Sequence, residues 1–344
     1  MSAVIGFYAH HHGRGHLSRV AAICDALGPE RCTVATSRPD ALAVLPAGTD
    51  LCHLPLDVPL DADPGDVTAG GALHWVPEHP VVLDRTRAIV DWLDARRPDV
   101  VLVDVSVEVA LTVRLAGTPV VVTRQHGDRC DAAHELGYQV AAALLAPYPE
   151  VLEHPSTPSG VRARTTHVGF VGRRAAGQAW EPEPRRVVVA WGRGHPPPNA
   201  AELDRAARAT PGWDWHMVGP DPAGTLRRVH HHGWLEDPCT MLRTASVVVA
   251  PPGYGLVADV ASLGAPYVAI CEARPFQEHH RKAEALEAVG GAITVDGWPA
   301  ADAWPGLLDE AMRLRPRALD LGGDGATGAA GLLVQVAHRA TVPT

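Results

Sequence analysis

Short apolar runs rich in β-branched residues recur along the chain, and several end in a glycine turn that opens a helical pattern. The clearest case is residues 247–281, VVVAPPGYGLVADVASLGAPYVAICEARPFQEHHR. Val247–Ala250 predicts a buried parallel strand, and Pro251-Pro252-Gly253-Tyr254-Gly255 a turn into a helix with Val257, Val260, Ala261 and Leu263 at helical spacing. Gly264 and Pro266 stop that helix; a second strand, Tyr267–Ile270, and a polar loop, Arg274-Pro275-Phe276-Gln277-Glu278, follow. Parallel strands joined by helices predict an α/β fold with a doubly wound sheet. In such sheets ligands sit outside the carboxyl ends of the strands, where glycines admit phosphate to helix N-termini, and both loops fall at such ends.

The same unit opens the chain. Val4–Tyr8 predicts a strand, residues 9–19 (AHHHGRGHLSR) a turn, and Val20–Leu27 a helix. The Gly13-x-Gly15-His16 spacing sets His16 at the helix start, facing the crevice; a histidine that merely caps or packs at the turn is the plain alternative. Val187–Ala190, the turn Trp191-Gly192-Arg193-Gly194-His195 and a helix at Asn199–Ala209 repeat the pattern, so a second domain begins there. Between them the spacing predicts strands at 33–36, 51–54, 100–103, 120–123 and 141–146, and helices at 39–45, 84–96 and 107–115. Asp104 then stands just past a central strand, either facing the same crevice as His16 or capping the next helix. Residues 57–80, rich in Asp, Gly and Pro, predict a long loop carrying His74 and Trp75, either a lid or disordered. The polar, Pro-rich 173–186 supports a domain boundary. Farther on come a strand at 214–218, Gly233-Trp234-Leu235, helices at 239–244 and 303–314, a flexible 322–331 and a terminal helix at 332–340.

At 344 residues the chain is long enough for two domains. A formal net charge of −9 argues against a general nucleic-acid binder. Six scattered cysteines without a C-x-x-C pair indicate neither a zinc site nor a disulfide framework, and a reducing cytoplasm fits best. The N-terminus does not read as a signal peptide, and no apolar run approaches the ~20 residues of a membrane helix. Neighbouring residues of an extended segment point to opposite faces, so His10-His11-His12 and His230-His231-His232 are not expected to converge on a metal.

The 247–281 stretch resembles the GT-B glycosyltransferases, most closely their MurG-like branch. That resemblance implies two Rossmann-like doubly wound domains facing a central cleft: an acceptor-side domain over residues 1–170, a donor-binding domain over 171–318, and a segment, 319–344, returning to the first. It implies an inverting, metal-independent transfer of a sugar from a nucleotide diphosphate, with a uridine diphosphate sugar expected, to a hydroxyl acceptor, and no cofactor beyond that co-substrate. Gly192, Arg193 and Gly194 would meet the donor's phosphates, and Trp234 and Leu235 its base. Gly253, Tyr254 and Gly255 would form the turn, Asp259 would hold the ribose where the family more often has Glu, and Phe276, Gln277 and Glu278 would hold the sugar. His16 would be the general base, assisted by Asp104 or His126. Gly13, Arg14, Gly15, Arg19, His74, Trp75 and Arg129 would lie on the acceptor side, toward a small-molecule, lipid-linked or natural-product acceptor. A cytoplasmic enzyme, with peripheral contact at the inner membrane face as in MurG-type enzymes, fits that reading. Gly13-x-Gly15-His16-x-x-Arg19 also looks like the loop of hydrolases sharing this fold, which would replace the acceptor by water; a non-catalytic nucleotide-sugar binder is the third reading.

Overall fold

The structure, a computed structural model, describes residues 3–11, 14–57, 65–171, 179–194, 196–314 and 324–341. His12, Gly13, Gly172 and His195 lie outside the described residues, as do 58–64, 173–178 and 315–323. The chain divides into two compact units, one holding 1–150, 155–172 and 322–344, the other 151–154 and 173–321.

The first unit is built from β1 (Ile5–Ala9), α1 (Arg14–Leu27), β2 (Cys32–Thr36), α2 (Ala41–Val44), β3 (Asp50–His53), α3 (Pro80–Arg96), β4 (Val100–Asp104), α4 (Val107–Leu115), β5 (Val120–Thr123), α5 (Ala132–Val140), β6 (Ala143–Ala146), α6 (Ser159–Ala163) and β7 (Thr165–His167). Its strands form one parallel sheet in the order β3-β2-β1-β4-β5-β6-β7. β1, β2, β4 and β5 are buried at every residue, as befits strands covered by helices on both faces. Residues 165–167, the start of the 165–172 segment that by the resemblance crosses between domains, extend this sheet as its edge strand in register with Leu144–Ala146, and the chain passes to the second unit after residue 172.

The second unit comprises β8 (Arg186–Ala190), α7 (Ala200–Ala209), β9 (Asp214–Val218), β10 (Val229–His231), α8 (Cys239–Leu242), β11 (Val247–Ala250), α9 (Tyr254–Leu263), β12 (Tyr267–Cys271), α10 (Glu278–Ala288), β13 (Ile293–Asp296) and α11 (Trp304–Ala311). Its parallel sheet runs β10-β9-β8-β11-β12-β13. β10 carries His230 and His231, and His232, Gly233, Trp234 and Leu235 follow as loop.

The last helix, α12 (Gly325–Thr341), belongs to the first unit. It starts within the segment expected to be flexible. Ala326, Ala329, Ala330, Leu333, Val336 and Ala337 recur at helical spacing and join the core made by β1, α1 and β2. Gly325 explains the close docking: a β-carbon there would stand 2.3 Å from the carbonyl oxygen of Phe170, so only glycine lets the helix start at that point.

Candidate active site

His16 is the third residue of α1, and Asp104 is the last residue of β4, beside Ala9 of the neighbouring β1. Helix start and strand end therefore meet at the carboxyl edge of the sheet. His16 Nδ1 lies 2.9 Å from Asp104 Oδ2, and Arg19 Nη2 donates to both Asp104 oxygens at 3.0 Å. Asp104 and Arg19 side chains are almost wholly enclosed, at 1% and 3% exposure, whereas His16 keeps 21%. Burial pushes the Asp104 carboxyl up, but the Arg19 guanidinium and then the His16 ring outweigh it and hold its pKa at about 2. An ionised acceptor at Nδ1 assigns the ring proton to that nitrogen and leaves Nε2 with its lone pair. Asp104 does not cap α4; Ser106 does, accepting from the Val109 amide. Between them Val105 takes the left-handed conformation at φ 65, a strained state for a β-branched residue.

His10 stands beside this group, its ring centroid 5.9 Å from that of His16. His10 and His11 stack at 4.8 Å and 15°, against the expected alternation, because β1 ends at Ala9 and the extended pleat ends with it. His11 Nε2 faces Asp57 at 3.6 Å, and His10, His11 and Asp57 offer three potential ligand atoms within 4.8 Å of one another. The alternation holds along β10 and into the next residue: His230 and His232 both lie against His216 while His231 meets Asp221.

The described part of the long loop, residues 65–79, is tied to the rest of the first unit by hydrogen bonds. The Glu108 carboxylate accepts from the His74 and Trp75 amides, and Trp75 Nε1 donates to the Asp57 carbonyl. His74 Nε2 lies 2.8 Å from Asp131, whose other oxygen meets His134 Nδ1. Arg129 Nη1 is 3.0 Å from His134 Nε2 and Nε donates to the His126 carbonyl, so Arg129 orders this cluster. Since a guanidinium can only donate, His134 Nε2 accepts and Nδ1 carries the proton. Burial first, with the Arg129 charge, pulls the His134 pKa down to about 4 against the opposing bond to Asp131. His126 is buried, its ring 3.9 Å from that of Tyr148, and stands in a second cluster with Arg124 and Tyr148. Of the expected first-unit residues, His16, Asp104 and Arg19 come together, and His74 and Arg129 come together through Asp131 and His134. Gly15 and Arg14 open α1.

In the second unit, Gly253 caps α9 with no side-chain cap, Tyr254 and Gly255 begin that helix, and its first turn carries no acid. Asp259 is buried within it. Phe276 and Gln277 are both left-handed, at φ 57 and 54, and Glu278 pairs with the buried Lys282 at 2.9 Å. Gln277 lines a cavity of about 650 Å³ together with Trp191, Arg274, Trp298 and the prolines 196–198. The turn after β8 differs from the expected phosphate loop. Arg193 is laid over the Trp234 ring, 4.3 Å from its centroid. The following α7 begins only at Ala200, behind three prolines, and its start is closed by a capping box in which Asn199 accepts from the Glu202 amide and Glu202 from the Asn199 amide.

Sequence reasoning missed Glu108, Asp131, His134 and Arg274. Asp131-x-x-His134 was a legible signal, an Asp at a helix start with its partner one turn on; Glu108 and Arg274 act through contacts distant in sequence.

No protein-family model matches the chain, and no curated protein matches it in sequence. Solved structures do. A UDP-glucosyltransferase from Polygonum tinctorium capable of glucosylating indoxyl is similar with a TM-score of 0.68 and 15% identity, over 98% of this chain and 99% of that one. MurG of Acinetobacter baumannii is similar at 0.64 and 13%, over 98% and 99%. The spinosyn rhamnosyltransferase SpnG, complexed with thymidine diphosphate, is similar at 0.61 and 19%, over 98% and 96%. With the two parallel sheets, these likenesses identify the fold as GT-B.

Proposed function

We propose that this chain is a glycosyltransferase that moves a hexosyl group from a nucleoside diphosphate sugar to a hydroxyl acceptor. The observation that carries the reading is the His16–Asp104–Arg19 group at the carboxyl edge of the first sheet. The acceptor hydroxyl gives its proton to His16 Nε2 while its oxygen attacks the anomeric carbon. As the new C–O bond forms, the bond to the diphosphate oxygen breaks on the opposite face, so the sugar carbon inverts. The ionised Asp104 steadies the imidazolium that results, and Arg19 keeps the carboxylate ionised and in place. The departing diphosphate is met by the open N-terminus of α9, whose amides and dipole favour negative charge. These groups supply the base and the charge stabilisation without calling on a metal. Trp234, with Arg193 stacked upon it, offers a flat face to the donor's base, Asp259 a carboxylate to its ribose, and Phe276, Gln277 and Glu278 contacts to its sugar. A UDP-linked donor is our first choice. The acceptor, a small molecule, natural product or lipid-linked hydroxyl, is assigned to the side of His74, Trp75 and Arg129. Among the described residues, no helix is long and apolar enough to cross a membrane.

The test is turnover of UDP- and thymidine diphosphate-sugars with and without a panel of hydroxyl acceptors. Transfer should appear only with acceptor, and His16→Ala should lose about 10²–10⁴-fold in kcat while UDP binding persists. Rapid donor breakdown without acceptor would favour the hydrolase. Nucleotide binding with no turnover by the parent protein would favour the binder.

A further inference from the structure

The resemblance assigns the donor's phosphates to Gly192, Arg193 and Gly194, yet that turn is poorly equipped for them. Arg193 is engaged with Trp234, the prolines at 196–198 have no N–H to donate, and the start of α7 already holds the Glu202 carboxylate. An anion placed at α7 would meet a carboxylate instead of open amides.

A different cation stands at the same turn. Arg274, in the loop after β12, brings Nη2 so close to the turn after β8 that a β-carbon on Gly194 would lie 3.0 Å from it. β8 and β12 are not neighbours; β11 lies between them, and α9 begins from the loop after β11. The Arg274 side chain therefore reaches across the end of β11, where the uncapped start of α9 lies. Its Nη2 also pairs with Glu272 Oε2 at 3.2 Å, and its Nε is buried with no hydrogen-bond partner among the described residues. It lines the cavity that holds Gln277, which the proposed function places at the donor sugar. The two consecutive left-handed residues, Phe276 and Gln277, turn the chain directly after it, a strained backbone of the kind that persists where a loop must present a side chain.

Building on the proposed function, we infer that Arg274 is the diphosphate-binding cation of this chain, its planar fork facing the phosphate oxygens above Gly194, and that Arg193 serves the base platform instead. Glu272 is its resting partner. When a diphosphate arrives, the guanidinium exchanges a carboxylate for phosphate oxygens, a pairing that a fork of donors makes well.

The experiment is calorimetric titration of the full chain with UDP and with uridine, repeated with thymidine diphosphate and thymidine. In the parent protein the diphosphate should bind far more tightly than its nucleoside. Arg274→Gln should weaken the diphosphate at least tenfold and leave the nucleoside within about threefold, collapsing the ratio between them. Arg193→Gln should weaken nucleoside and diphosphate alike. Glu272→Gln, which frees the guanidinium, should tighten the diphosphate and keeps the test decisive if Arg274→Gln folds poorly. A parent protein that binds UDP or thymidine diphosphate, with an undiminished ratio in Arg274→Gln or no gain in Glu272→Gln, overturns the inference while the proposed function stands. A parent protein that binds neither diphosphate overturns both.

Discussion

Replacing Asp104 by Asn removes one charge and almost no volume from the carboxyl edge of the first sheet, and the structure fixes what that should cost. The carboxyl pKa is held at about 2 against an ordinary 3.8, a difference worth about 2.5 kcal/mol in favour of the ionised form. Because the folded value is the lower one, that stability is present above pH 3.8 and is lost as pH falls from there toward 2. Asn forfeits it across the pH range where the parent has it and also strands the Arg19 guanidinium, whose side chain is 3% exposed. Breaking one side of a buried pair costs about 3–5 kcal/mol, so Asp104→Asn should lower the stability of the first unit by that amount. Turnover should fall by about 10²–10⁴-fold, since the imidazolium of His16 loses its counter-charge. The double variant Arg19→Met/Asp104→Asn has no stranded cation and should regain most of the stability without regaining turnover. Urea titration with hydrogen exchange read at the β1 and β4 amides follows the first unit alone. A single variant within 1 kcal/mol of the parent, or a double variant no more stable than the single, would refute the reasoning.

The His134 pKa of about 4 lies below the ordinary 6.5, so the unfolded chain takes up a proton that the folded one refuses. Its contribution is complete above pH 6.5 and lost as pH falls toward 4, amounting to about 3 kcal/mol, and His134→Gln should flatten that part of a plot of urea midpoint against pH. In α12, Gly325→Ala would drive a β-carbon into the Phe170 carbonyl and should destabilise by about 1–3 kcal/mol, whereas Gly331→Ala, with nothing within 4 Å, should stabilise by about 0.5–1 kcal/mol. Thermal melts of the two proteins that moved in the same direction would contradict the packing assigned to that helix.

The strands were the most legible elements because both faces of each sheet are covered, which forces continuous apolar runs such as Val247–Ala250 and Val120–Val122. His16 and Asp104 were found from their places at a helix start and a strand end. Their pairing, 88 residues apart in sequence, was expected only through the resemblance, and the closure by Arg19 over 85 was not expected at all. Helix α5 escaped because Gly137 interrupts its pattern, though the Asp131 cap announced it. The glycines near the C-terminus were misread for the opposite reason: from sequence a glycine signals freedom, and only the Phe170 carbonyl reveals that Gly325 is there for want of space. Arg193 lay in an expected phosphate turn, but neither its stacking on Trp234 nor the approach of Arg274 from two strands away leaves a trace in local spacing.

The docking of α12 has a consequence for the order in which the molecule can be made. A ribosome delivers α1, with His16 on it, before the second unit, but the helix that shields α1 and β1 emerges only after the whole of that unit has been translated. The unit that carries His16 is thus begun before its neighbour and completed after it, its apolar flank open to solvent or chaperone meanwhile. A chain that ends after α11, whose Trp304, Leu308 and Ala311 complete the core of the second unit, should hold that unit folded beside a protease-sensitive first one.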